Sequence, residues 1–206
     1  MTPERRAVRP PESRRASTPV LVVLAGRPGV GKSYVARRLA ARTGAVWLRV
    51  DTLEAAMLSA GLERSPETGL AAYLGVRDQA REMLSVGQSV IIDAVNGIDE
   101  ARAMWRELAR TCSVRLRTID VTCPDPVEHR RRVEDRPAPT PPLEKPTWDE
   151  VRAREYQPWT EPVLSVDTTG DPETVLAGIL RYLDAAPRRT RGGRPTARTP
   201  SRSRAA

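Results

Sequence analysis

The chain has 206 residues, 34 Lys and Arg against 26 Asp and Glu, one His and two Cys, for a formal net charge of +8. That length suits one domain with a sizeable core rather than two. The charge sits at the ends and argues against a nucleic-acid-binding core. Residues 1–18 hold five Arg and two Glu, and residues 187–206 hold seven Arg and no acid, which leaves 22 basic and 24 acidic side chains between them.

Both tails are rich in Arg, Pro, Ser and Thr without apolar periodicity, so they are expected to be disordered, serving at most as weak, nonspecific anion-binding arms. The body is expected at 19–186. Arginine pairs at 5–6 and 14–15 precede an apolar run of only six residues, too short for an export signal. No stretch reaches transmembrane length, and a cytoplasmic location without membrane contact is expected. Cys112 and Cys123 flank one predicted strand, too far apart in extended chain to pair.

Val20 to Ala25 is a continuous apolar run of strand length, as at the centre of a parallel sheet. A helix over about 32–42 follows, burying Val35, Ala36, Leu39 and Ala40 and stopping at Gly44. Val46–Val50 reads as the second strand. Leu53, Ala56, Met57 and Ala60 share a helical face, residues 61–69 read as a loop, and Tyr73, Val76, Ala80, Met83 and Leu84 define a helix over about 70–86. Ser89–Asp93 is a strand, Ala101 to Leu108 a helix, and Val114–Val121 a strand whose alternating arginines leave it less covered than the first. Asp125, Pro126 and Glu128 open a helix through about Arg136. Five prolines between 137 and 146 forbid regular structure. Thr147 and Glu150 have capping-box spacing and start a helix through about Tyr156. Val163–Asp167 is the last strand, and Asp171-Pro172 caps a final helix. Alternating strands and helices predict an α/β fold: a mostly parallel five-stranded sheet, helices on both faces, and a short lid over about 125–160.

The first strand runs into G-R-P-G-V-G-K-S, Gly26 to Ser33, with a helix after it. This is the G-x-x-x-x-G-K-[ST] phosphate loop in its required setting. Glycines at 26, 29 and 31 let successive backbone N–H groups converge on one anion. The predicted nucleotide-binding set is Gly26, Arg27, Pro28, Gly29, Val30, Gly31, Lys32, Ser33 and Tyr34. Lys32 would reach the β and γ phosphates, and Ser33 would ligate Mg²⁺. Two further strands lead into aspartates. Asp93, after S-V-I-I, reads as a Walker-B-like carboxylate for Mg²⁺ or as an ordinary helix-leading acid. Asp51 reads as a base that takes an acceptor hydroxyl's proton or as a helix cap. Arg132 and Arg136 share one helical face and could converge on phosphate oxygens, or simply be solvated. His129 reads as a helix-surface or packing residue rather than a base. Trp148, Tyr156 and Trp159 would either line a pocket or anchor the lid, and Asp167-Thr168-Thr169 would lie by an adenine.

With these parts placed, the chain resembles the P-loop kinase-type group that includes zeta toxins, the kinase half of polynucleotide kinases, chloramphenicol phosphotransferase and many bacterial proteins labelled AAA-family ATPase. The resemblance rests on the phosphate loop, R-V-D-T at 49–52, S-V-I-I-D-A-V-N at 89–96, R-V-E-D-R at 132–136, W-D-E-V-R-A-R-E-Y-Q-P-W at 148–159 and V-D-T-T at 166–169. It implies a P-loop NTPase fold and transfer from ATP with Mg²⁺ to a hydroxyl. It also implies Asp51 as acceptor-side base, Arg132 and Arg136 as lid arginines, and Asn96 near the substrate. The leading expectation is a kinase of a small-molecule hydroxyl acceptor. A nucleotide switch or ATPase acting through a partner and a polynucleotide 5′-hydroxyl kinase stand as alternatives.

Overall fold

The computed structural model describes residues 18–135 and 142–185. Expectations for tails 1–17 and 186–206, and for 136–141 with Arg136, lie outside the described residues.

β1 (Val20–Ala25) is the middle of the sheet because every residue from Leu21 to Ala25 is buried and aliphatic. It pairs in parallel with β3 (Val90–Asp93) on one side and β4 (Arg115–Thr122) on the other, with Leu21 opposite both Val90 and Leu116. β2 (Val46–Arg49) flanks β3 and β5 (Leu164–Asp167) flanks β4, giving the order β2-β3-β1-β4-β5 with every pair parallel. The expected five-stranded parallel sheet is the observed one.

Strand alternation divides the core in two. Leu21, Val23, Val90 and Ile92 meet Ala72, Val76 and Ala80 of α3 (Pro66–Ser85) and Trp105 of α4 (Asp99–Thr111). On the other face Val22, Leu24 and Ile91 meet Val35 and Leu39 of α1 (Lys32–Thr43) and Ile179 of α7 (Pro172–Asp184). Each fully buried Leu, Ile or Val contributes about 1.5–3 kcal/mol relative to exposure, so the interlocked aliphatic rows hold the strand ends in fixed register.

Four boundaries differ from the sequence reading, each for a local reason. α3 starts at Pro66 rather than about 70, because Ser65 accepts the Thr68 amide at 3.2 Å and Pro66 fills the first helical position. α2 (Val50–Ser59) begins directly after β2, so Asp51 lies in a first helical turn instead of just beyond a strand. α6 (Trp148–Ala153) stops short of Tyr156, as Arg154 turns to an extended ψ of 128°. β5 starts at Leu164, one residue later than read, opposite Ile119, so among the described residues the first half of β4 has no strand on that side, and its arginines at 115 and 117 stay partly exposed, as their alternation led us to expect. The capping box of α6, the Asp171 cap of α7 and the Asp125 carboxylate on the Val127 amide of α5 (Pro126–Asp135) form as expected. Both cysteines are free. No helix among the described residues is long and apolar enough to cross a membrane.

Candidate active site

The phosphate loop leaves β1 at Gly26 and enters α1 through Gly31. A Cβ on Gly29, whose φ is +86°, would lie 2.5 Å from Val133 Cγ2 of α5, so only glycine lets the lid helix approach here. Gly31 caps α1 without any side-chain acceptor, which leaves the first-turn N–H groups open to an anion. Lys32 Nζ donates to Arg27 O at 3.1 Å, which folds its stem over the loop.

These groups open onto a cavity of about 750 Å³ at the C-terminal ends of β1, β2 and β3, where an open parallel sheet binds its ligands. Its wall brings together Lys32, Ser33, Asp51, Asp93 and Arg132, residues up to a hundred positions apart, and adds Arg49. Tyr34 also reaches this wall, its hydroxyl accepting from Arg38 Nη1 at 2.9 Å.

Asp93 is only 4% exposed, and its Oδ2 has no hydrogen-bond partner. Arg49 Nε, in register beside it, lies 3.4 Å from that oxygen. A buried carboxylate oxygen short of a donor calls for a cation or an ordered water. No group of three or more His, Cys, Asp or Glu suited to a metal occurs among the described residues. Mg²⁺ needs only one or two protein ligands when phosphates supply the rest, so Ser33 and Asp93 fit it.

Asp51 is exposed in the first turn of α2 and makes no capping bond, the cap position being Arg49. Its charge acts on Tyr73, whose phenol is pushed up to about 12, chiefly by burial. Arg132 is pinned, with Nε on Glu128 at 2.7 Å and its two terminal nitrogens on Thr168 Oγ1 at 2.8 Å and Thr168 O at 3.1 Å. Thr168 in turn donates to Val30 O at 2.7 Å, which joins the loop after β5 to the phosphate loop.

Asn96 requires a correction. It does not line the cavity. Its carboxamide is fully buried, donating from Nδ2 to Leu24 O at 2.8 Å and accepting from Trp105 Nε1 at 2.9 Å. These bonds hold the side chain in the core between β1 and α4.

The model of the AAA domain family matches residues 21–158. The chain belongs to the AAA domain family. No curated protein matches it by sequence. The AAA domain superposes on the Mycobacterium tuberculosis APS kinase in complex with AMPPNP and APS with a TM-score of 0.64 at 20% identity, covering 82% of this chain and 99% of that one. A gluconokinase from Sinorhizobium meliloti gives 0.60 at 17% identity, covering 81% and 92%. A sugar kinase from Janibacter gives 0.61 at 20%, covering 83% and 97%. At identities this low the likeness shows a shared P-loop kinase-like fold, and the comparisons reach the AAA domain family without reaching the zeta toxin or polynucleotide kinase subgroup.

Three features of this AAA domain escaped the sequence reading. The Arg27 side chain, expected at the nucleotide, leaves the loop and donates to carbonyls at the end of α6. His129 is buried and holds Pro28 O at 2.8 Å through Nε2, which therefore carries the hydrogen, while Trp148 meets its ring edge-on at 5.1 Å. Arg102 is 5% exposed and donates to the carbonyls of Asn96, Gly97, Gln157 and Pro158, with its guanidinium 3.6 Å from the Trp159 ring centroid. Trp148, Tyr156 and Trp159 are thus docking anchors outside the cavity wall. The side chains signalled their polarity and size, but their partners are backbone carbonyls, which no sequence pattern marks.

Proposed function

We propose that this AAA domain is an ATP-dependent kinase that moves the γ-phosphoryl group of ATP to a hydroxyl of a small-molecule acceptor. One observation carries the reading: a single cavity lined by the phosphate-loop Lys32 and Ser33, two acids of unlike burial, and a pinned arginine. A kinase-like neighbour that holds AMPPNP beside APS supports a nucleotide in the equivalent cavity.

The loop amides and Lys32 bind the β and γ phosphates and place the reacting phosphorus. Ser33 and Asp93 would hold Mg²⁺, which when bound neutralises phosphate charge. Arg132, already fixed by Glu128 and Thr168, offers its charge without reorganisation as negative charge spreads over the phosphoryl oxygens. Asp51, exposed on the cavity wall, orients the acceptor hydroxyl and takes its proton. The order of events is acceptor alignment, passage of the hydroxyl proton to Asp51 Oδ, and attack of the acceptor oxygen on the γ-phosphorus as its bond to the β–γ bridging oxygen breaks and ADP leaves.

A pool of hydroxylated metabolites, antibiotics, nucleosides and 5′-OH oligonucleotides, incubated with ATP and scored by mass spectrometry, tests this. One class should gain a phosphoryl group, and Asp51→Asn should reduce that gain by about 10²–10⁴-fold while nucleotide still binds. ATP turnover without any phosphorylated acceptor would sink the kinase reading.

A further inference from the structure

Arg27 belongs to the phosphate loop by sequence but to the lid base by contact. Its Nη1 donates to Val151 O at 2.8 Å and to Arg154 O, lies 3.5 Å from Arg152 O, and the guanidinium sits 5.4 Å over the Tyr156 ring. These carbonyls end α6 and have no helical partner of their own. A helix of six residues does not persist alone, so α6 depends on its caps. The Thr147 and Glu150 capping box holds the first turn, and Arg27 holds the last. Just beyond, Arg154 leaves the helix and reaches the cavity wall that also carries Asp51. Residues 157–158 are secured separately by Arg102 and by the Gln157 amide on Gly97 O at 2.8 Å.

We propose that Arg27 is a positioning residue that couples the phosphate loop to the acceptor-side wall: by capping α6 it places Arg154, so that nucleotide held by the loop and order in α6 share one equilibrium. The coupling rests on the nucleotide reading above. It does not require that the acceptor be known.

Hydrogen exchange on the full chain tests it, comparing the native protein with Arg27→Gln and Arg27→Lys, without nucleotide and with saturating ADP and Mg²⁺. The reporters are the amides of Val151 and Arg154, bonded to Thr147 O and Glu150 O, with the Gln157 amide as internal reference. Without nucleotide, Arg27→Gln should exchange the first two about tenfold faster and leave Gln157 unchanged. The Lys variant should fall between, since an ammonium still donates to a carbonyl. ADP should slow both reporters in the native protein and neither in Arg27→Gln. Unchanged reporters, or equal slowing in the Gln variant, would overturn the proposal. Protection of the loop amides without α6 in the native protein overturns the coupling alone, whereas protection of neither overturns the nucleotide reading with it. Should Arg27→Gln loosen the buried strands as well, Arg27→Lys carries the comparison by the same criteria.

Discussion

Asn96 shows how a residue's chemistry is decided by its neighbours. It takes a left-handed φ of 47°, tolerated best by Gly, Asn and Asp, and ties Leu24 O of β1 to the Trp105 indole. Asn96→Ala would strand both partners in the core and keep the strained backbone without the bonds that hold it. It should cost about 2–4 kcal/mol in urea unfolding. A loss under about 0.5 kcal/mol would mean water replaces the amide. Nothing in A-V-N-G marks this bond, whereas Asp93, three residues earlier, was legible because an apolar strand in a parallel sheet delivers its next polar residue to the ligand end. Arg27 was illegible for the opposite reason: the loop motif specifies where its backbone lies and leaves its side chain free.

At the scale of the element, α5 is where charge and position meet. Glu128 accepts from Arg131 and then from Arg132, and these bonds hold its carboxyl at about 2, below the ordinary value of 4.5. A carboxyl whose folded value is lowered stabilises the fold above its ordinary value and loses that contribution as pH falls toward the folded value. Urea midpoints should therefore stay level above about pH 5 and fall between pH 4.5 and 2 as Arg132 is released. Glu128→Gln should lower the plateau and flatten that fall, so parallel pH curves for the two proteins would contradict the assignment. Two helix starts were readable from their caps, since Thr147 and Asp171 each act within three residues of their own position, whereas the Ser65 cap of α3 lay in a stretch read as loop. The stop of α6 was not readable, because the side chain that meets its last carbonyls comes from a loop 124 positions away.

Across the whole molecule, the cavity is a place where sheet, phosphate loop and lid meet, so nucleotide binding should stabilise all of them together. ADP with Mg²⁺ at about 100 times its Kd should add about 2.7 kcal/mol and raise Tm by about 5–10 °C, most of it lost in Lys32→Ala. Equal shifts in both proteins, followed by scanning calorimetry, would remove Lys32 from the site. The sequence alone determined the alternation of strands and helices, the parallel sheet and the phosphate loop between β1 and α1, because hydrophobic period and local turn chemistry are written in contiguous residues. Only the tertiary structure decided that Arg49 faces Asp93, that Arg132 is pinned on Thr168, that Asn96 is a core residue and that Arg27 serves α6. Each of those joins chain segments 36 to 124 positions apart through polar side chains whose partners packing selects.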